Sequence, residues 1–346
     1  MKYRLGDLAQ IKYGKDHKKI KDGNIPVYGT GGLMRKVNEY LYNGDSVLIP
    51  RKGSLNNVMY VTGKFWTVDT MFWTQVNKDK VLPKYLYYCL SKMDLEALNV
   101  GSAVPSLTIK ILNEIVLDIP SLDKQVKIIN KFKPIEEKMS LNTQINDNLD
   151  TLLTTVFEKQ INNKSFMEAN LTNIATYKNG LAMQKYRPKN NEQDLPVLKI
   201  RELNQGHTDD SSDRCSIKID KSAIVNTGDI IFSWSGTLLV KNWSGKRAGL
   251  NQHLFKVTSN SYPDWFIYEW TKYHLRKFQS IAAGKATTMG HIKRSDLKSS
   301  KVLIPNENKM IELNTIMQPF YDKRIEVIKE NQQLMELKQT LLQKFF

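Results

Sequence analysis

Two cysteines in 346 residues, Cys89 and Cys215, are too few for a disulfide framework. Neither sits at metal-ligand or redox spacing, so both are expected to be ordinary semi-buried thiols in a reducing cytoplasm. No run of about 18 apolar residues occurs, so nothing is expected to span a bilayer. The opening MKYRLGDLAQ has no apolar core of signal-peptide length. Catalytic signatures are equally sparse. There is no G-x-x-x-x-G-K-[ST] phosphate loop, no H-E-x-x-H, no paired C-x-x-C and no G-x-S-x-G. GTGGLM (Gly29–Met34) comes nearest to a dinucleotide fingerprint and lacks its spacing, and the five histidines do not cluster with acids at metal spacing. This disfavours an enzyme and any metal or cofactor in the chain itself. Acidic residues are also short: 35 against 51 lysines and arginines, a formal charge of +16. Such a surplus suggests a polyanionic partner, nucleic acid or an anionic membrane surface, and the missing span weakens the second.

What the chain does contain is a repeat. Leu5, Leu8, Ala9, Lys12 and Gly14 recur as Leu171, Ile174, Ala175, Lys178 and Gly180, an offset of 166. Gly44-Asp45 recurs as Gly228-Asp229, and VDTMFW (Val68–Trp73) answers LNQHLF (Leu250–Phe255). Gly101, Ala103 and Ile109-Lys110 match Gly284, Ala286 and Ile292-Lys293. Ile119-Pro120 and Pro134 match Ile304-Pro305 and Pro319 at an offset of 185. Slowly drifting offsets are what loop insertions produce, so a unit of about 180 residues is present twice.

Each copy has a mixed part and a helical part. The mixed parts, 1–120 and 164–305, hold β-rich runs such as SVLIP, VMYVTG, FWTV and DIIFSW between Gly, Asn and Asp turn signals. Each also holds one aromatic helical stretch, 83–93 and 263–278, that is expected to be domain core rather than a stacking platform. The helical parts, 121–163 and 306–346, lack glycine. Leu149, Leu152 and Val156 extend a spacing begun by Asn142 and Ile145, and Leu334, Leu337 and Leu341 repeat it below Val327. That 3-4 spacing predicts two helices that bury their stripes against each other, with Asn146 and Asn331 on or beside the seam. Pro134 and Pro319 should kink these helices or mark their starts. From Pro134 to Gln160 a helix runs roughly 40 Å, close to the 34–36 Å of one turn of B-DNA. The expected fold is therefore α+β: two mixed modules joined by two long antiparallel helices, with pseudo-twofold repetition.

Polar, basic, glycine-loosened loops recur in both modules. Lysine and arginine neutralise phosphates, asparagine, glutamine and arginine pair with base edges, and glycine lets the backbone approach a duplex. In the first module the candidates are Lys15 and Lys18 of GKDHKK, Arg35 after GTGGLM, and Arg51, Lys52, Ser54, Asn56 and Asn57 of RKGSLNN. In the second they are Lys185 and Arg187 of QKYRPKN, Asn204 of KIRELNQGH and Lys241 of TLLVKN. Lys246, Arg247 and Gln252 of SGKRAGLNQH and Lys285 of GKATTMGH complete that set. Arg51 or Gln252 is expected to matter more for binding than an exposed helix residue such as Lys338. Within the shared frame, Arg51-Lys52 stands where the second module has Trp234-Ser235, and Trp234 is expected to pack.

PVYGTGG, IPRKGSLNNVMYV, FWTVDTMFW and GSAVPSLTIKIL, with LPVLKIRELNQG, GDIIFSWSGTLLV and GLNQHLFKV in the second copy, resemble target recognition domains. IPSLDKQVKIINKF and IPNENKMIELNTI resemble the spacer regions that follow them, although the second lacks counterparts of Leu122 and Gln125. The whole chain thus resembles the DNA-specificity subunit of type I restriction-modification enzymes. The resemblance implies two modules reading the halves of a split double-stranded DNA site and two helices setting the gap. It implies two methyltransferase subunits carrying S-adenosylmethionine and separate motor-nuclease subunits using ATP and Mg²⁺, with no cofactor in this chain and a cytoplasmic setting. The competing expectations are a non-catalytic protein-binding scaffold or inhibitor, and a complete nuclease or methyltransferase with an unrecognised site.

Overall fold

A computed structural model describes residues 1–101, 104–161, 166–189, 191–209, 211–284 and 290–346. The chain is α+β and divides into two compact units, residues 1–137 with 337–346, and residues 138–336.

The first unit begins with β1 (Lys2–Arg4), the single turn α1 (Leu5–Leu8) and β2 (Ala9–Tyr13). There follow β3 (Asp22–Gly29), β4 (Gly32–Val37), β5 (Tyr42–Asn43), β6 (Ser46–Pro50), β7 (Met59–Val61), β8 (Lys64–Thr67) and β9 (Met71–Val76). Helices α2 (Pro83–Ser91) and α3 (Ile109–Asn113), strand β10 (Val116–Asp118) and the long helix α4 (Leu122–Ile161) complete the run. One four-stranded sheet has the order β2-β9-β6-β7, all antiparallel. A second has the order β4-β3-β8-β5, with β3 parallel to β8. β6 is SVLIP, buried at every position: the apolar Val47–Pro50 suits a strand covered on both faces, and Ser46 Oγ is satisfied by the backbone of Thr74. Pro83 occupies the first turn of α2, where its missing N–H costs nothing.

The core of this unit draws on both helical segments assigned to it. Phe132 of α4 is fully buried and stacks on Tyr88 with ring centroids 4.4 Å apart. Leu341, Leu342, Phe345 and Phe346 pack on the same cluster, Phe346 lying 5.0 Å from the ring of Tyr85. Gln125 is buried completely and satisfied on both ends: its amide donates to the carbonyls of Lys80 and Pro120, and its oxygen accepts from Leu82 N–H. Glu136 sits between Lys84 at 2.8 Å and Lys338 at 2.7 Å. Burial pushes that carboxyl up, but the two ammonium groups outweigh it and hold it below its ordinary range.

The second unit repeats the order: β11 (Met167–Asn170), α5 (Leu171–Ile174), β12 (Thr176–Asn179), β13 (Asp194–Leu198), α6 (Ile200–Gln205) and β14 (Arg214–Ser216). It continues with β15 (Ile224–Val225), β16 (Ile230–Ser233), β17 (Leu239–Asn242), β18 (Ala248–Leu250) and β19 (Leu254–Thr258). Then come α7 (Asp264–Tyr273), α8 (Leu275–Ala283), α9 (Arg294–Lys298), β20 (Lys301–Ile304) and α10 (Glu307–Phe345). Its sheets, β12-β19-β16-β17 and β14-β13-β18-β15, match those of the first unit strand for strand, including the one parallel pair, β13 with β18. Leu153, Phe157 and Ile161 of α4 join Leu313, Met317 and Tyr321 of α10 in its main core.

In this unit α4 and α10 meet through polar pairs. Asn142 is buried and donates to Glu330 at 2.7 Å, Lys138 bridges the same carboxylate at 3.2 Å, and Asn331 donates to the carbonyl of Met139. Asp150 holds Lys272 and lies 3.3 Å from the buried Arg324. As numbers rise along α4, those of its partners on α10 fall.

The structure departs from the sequence reading at four places. The aromatic stretch expected as one helix over 263–278 is two, broken at His274, whose Nε2 turns to the carbonyl of Lys301 at 2.8 Å. Of the two roles expected for Pro134 and Pro319, the start is excluded, because both lie inside helices that begin earlier at Leu122 and Glu307. Leu152 and Leu337, assigned to the buried stripe, are exposed. Leu153 takes the inward position, because adjacent leucines lie about 100° apart and a 3.6-residue turn admits only one. Lys338, expected to be exposed, is largely covered and paired with Glu136.

Candidate nucleic-acid interface

Both units build one loop frame from backbone hydrogen bonds. Leu107 N–H donates to Arg51 O at 2.9 Å, and Ile292 N–H donates to Trp234 O at 3.0 Å. Gly53 N–H donates to Pro105 O, and Gly236 N–H to Gly290 O. Lys52 bridges Ser106 as Ser235 bridges His291. Beneath them Gly14 N–H reaches Met71 O and Gly180 N–H reaches Leu254 O. A Cβ at Gly14 or Gly180 would fall about 2 Å from a carbonyl oxygen, at Val68 and Leu250 respectively, so both positions demand glycine. The frame makes Arg51-Lys52-Gly53 the structural counterpart of Trp234-Ser235-Gly236.

On that common frame the displayed chemistry differs. Arg51 is half-exposed, donates Nε–H to Asp69 O at 2.8 Å and covers the ring of Tyr13 at 5.7 Å. Trp234 is half-buried against Phe255 and His253, with ring centroids 5.8 Å away in each case, and faces His291 at 6.5 Å. Its buried Nε1 meets no acceptor among the described residues. Ser235 Oγ lies 3.1 Å from His253 Nδ1, and Gln252 lies 3.4 Å from the other ring nitrogen.

The candidates divide by what their side chains are doing. Lys52, Ser54, Lys15, Lys18, Lys185, Arg187 and Arg247 are exposed. Arg35 is engaged inside its unit, bound to Asp22 at 2.7 Å and to the carbonyl of Ile20. The oxygen of Asn56 accepts from the N–H groups of Leu95 and Glu96, while its amide donates to Asp94. Asn57 donates to the carbonyl of Thr30, joining the 51–57 loop to the β3–β4 turn. In the second unit Lys241 donates to Asn204 O at 2.9 Å, and burial pushes its ammonium pKa down. Lys246 pairs with Glu336 at 2.7 Å. Lys285 lies outside the described residues.

Arg51, Lys52, Asn56 and Asn57 thus share one loop, with Lys15 nearby through the Thr67–Thr70 backbone. Lys241 and Asn204 are joined, whereas Lys246 is turned to α10. Sequence reasoning passed over Tyr13, Leu33 and Met34, all exposed, and Lys12, which covers Trp73 at 5.1 Å. The Gly-Gly before Leu33-Met34 is a hairpin signal that would have placed the latter two at a turn. The aromatic helices are core, as expected: Tyr85, Tyr88, Trp265, Phe266, Tyr268 and Trp270 are all buried. Both cysteines are buried, with thiol pKa values pushed up to about 12 for Cys89 and about 11 for Cys215. Among the described residues there is no group of three potential metal ligands, and no helix is long and apolar enough to cross a membrane.

A family profile described as the type I restriction modification DNA specificity domain matches residues 1–151 and again 163–339. The chain belongs to this family. A putative type I specificity subunit of Mycoplasma pneumoniae is 33% identical over 136 residues, covering 36% of this chain and 44% of the relative. The chain therefore aligns with less than half the length of that relative. The MjaIX specificity subunit of Methanocaldococcus jannaschii is 23% identical over 310 residues, covering 79% and 69%. The solved S subunit from M. genitalium superposes over 100% of this chain and 96% of its own with a TM-score of 0.52 at 15% identity, a likeness of fold. These relatives are named as specificity subunits, not as nucleases or methyltransferases.

Proposed function

We propose that this chain is the non-catalytic, sequence-reading subunit of a type I restriction-modification complex. Residues 1–120 and 164–305 each read one half of a bipartite double-stranded DNA site, and the helical segments 121–163 and 306–346 set the spacing. The observation that carries this is the duplicated backbone frame with unlike contents, Arg51-Lys52 in one copy and Trp234-Ser235 in the other. Duplication of a fold explains the frame. Unlike side chains on it are what two different half-sites require. The charge of +16 supplies the sequence-independent attraction to phosphates.

The spacer role is supported by two continuous helices of 40 and 39 residues whose partners run in opposite senses. On this reading α4 and α10 form an antiparallel coiled-coil spacer and dock two methyltransferase subunits, which carry S-adenosylmethionine. ATP- and Mg²⁺-dependent translocation and cleavage belong to motor-nuclease subunits, and the complex works in the cytoplasm. Methylome mapping of a host expressing the chain with its methyltransferase tests this. A split motif with a fixed gap is expected, and its absence sinks the proposal. A scaffold would bind duplexes without sequence preference. Turnover by the purified chain with S-adenosylmethionine, Mg²⁺ and DNA would point to an enzyme instead.

A further inference from the structure

The β3–β4 hairpin of the first unit presents two large apolar side chains to solvent on a basic surface. Leu33 is 59% and Met34 57% exposed, and neither belongs to the apolar cluster beneath the hairpin. Gly32 closes the turn at φ +106°, a conformation that favours glycine, and the space around the Cβ positions of Gly31 and Gly32 is open. Tyr28 pairs with Leu33 and Val27 with Arg35, so Met34 is an extra residue on β4. A bulge of this kind bends the strand and re-aims its side chains.

The turn is fastened to the loop holding the charge. Asn57 donates to Thr30 O, and a Cβ at Gly53 would lie 3.9 Å from Thr30 Oγ1. Arg51 and Lys52 immediately precede Gly53, and Lys36 is exposed along β4. The one acidic residue of the hairpin, Asp22, is bound to Arg35. Among the described residues Lys36, Arg51 and Lys52 form no ion pair, so the apolar tip lies on a cationic surface, which suits a partner that offers phosphates beside an apolar surface. Duplex DNA offers both in its major groove, where the thymine 5-methyl group is the apolar feature beside the backbone.

Resting on the DNA-reading function above, we propose that Leu33 and Met34 form an apolar prong by which the first unit recognises thymine methyl groups. Lys36 and Lys52 hold the neighbouring phosphates, and Arg51 stands beside the prong on the cationic loop. Asn57 joins the turn to the cationic loop through its bond to Thr30 O.

The test uses the full chain and a duplex it selects from a random-sequence pool, with binding followed by fluorescence anisotropy across salt concentrations. Deoxyuridine, which lacks the methyl group, replaces thymidine in each half-site in turn. The replacement in one half should weaken the unaltered chain severalfold. The Leu33→Ser/Met34→Ser double variant should bind the thymine duplex about tenfold more weakly, the scale of one mismatched base pair. It should be indifferent to the replacement and keep the same salt slope, since no phosphate contact is removed. Both positions are exposed, and a thermal melt checks that the variant folds. The proposal is overturned if the double variant binds as the unaltered chain does, or if uracil costs both proteins equally or neither. Selected half-sites without thymine overturn it as well. If the unaltered chain selects no sequence at all, the DNA-reading function fails first and the prong falls with it.

Discussion

The two units place the same strands in the same order around equivalent glycines, yet differ at the surface, and two of those differences fall on the candidate interface. The counterpart of the Thr30-Gly31 turn between β3 and β4 is the stretch 199–213 between β13 and β14, which includes α6. There Arg201 ties Glu202 and Asp209, and Asp209 accepts from Ser211. The counterpart of Arg51-Lys52 is Trp234-Ser235. The frames are held by backbone hydrogen bonds and by glycines at Gly14 and Gly180, so the frame persists while its exposed contents diverge. Specificity can therefore change without refolding at positions whose backbone is fixed and whose side chains face outward.

If the units are separate cooperative bodies, core damage should stay local. Phe132 and Met317 stand at equivalent places, offset by 185, and both are almost fully buried. Phe132→Ala is expected to cost about 3–5 kcal/mol and Met317→Ala about 2–5 kcal/mol, each lowering one calorimetric transition only. A single transition shifted by either variant would show that the two units unfold together. A second contrast lies in the charges packed against the helices. Glu136 of the first unit is paired on both sides, whereas Glu269 of the second is buried with one oxygen that meets no partner among the described residues. Burial pushes the Glu269 carboxyl up to about 7, and Asp150 adds to the rise against Lys272, Thr154 and Arg324. The folded protein therefore holds this proton more tightly than the unfolded chain. Stability from this group is present at acid pH and lost as pH rises from about 4 to about 7, by on the order of 3 kcal/mol. Glu269→Gln should flatten that fall in thermal melts between pH 5 and 8, and an unchanged pH trace would count against it.

Much of this was legible in the sequence, for reasons that also mark the limit. The repeat survived as glycines and apolar pairs because Gly14, Gly180 and strands such as SVLIP answer to packing within a few residues. The aromatic helices read as core because their spacing puts rings on one face. What distant parts of the chain do to each other was not legible. Arg35, Asn56, Asn57 and Lys246 look like free polar loop residues until Asp22, Leu95, Thr30 and Glu336 are brought beside them. Lys338 looks like a solvated helix residue until Glu136 arrives from 202 positions away. Leu152 and Leu153 fit the stripe equally well as letters, and only the helix phase separates them.

Substitutions at the two frames separate the half-sites directly. Arg51→Ala removes a cation from the frame, so binding to the selected duplex should weaken about tenfold and the salt slope should drop by about 1. Trp234→Phe, at the equivalent backbone position, removes no charge, keeps an aromatic ring against Phe255 and deletes the unpartnered Nε1. It should leave the salt slope unchanged and affect base preference in the other half-site only. Lys127, exposed on α4, is the fitting control in place of Lys338, and Lys127→Ala should leave sequence preference unchanged and stability within about 0.5 kcal/mol. If Arg51→Ala and Trp234→Phe altered preference at the same bases, the two frames would not be addressing separate half-sites. Shared backbone geometry would then reflect common ancestry of the fold without a division of labour between its copies.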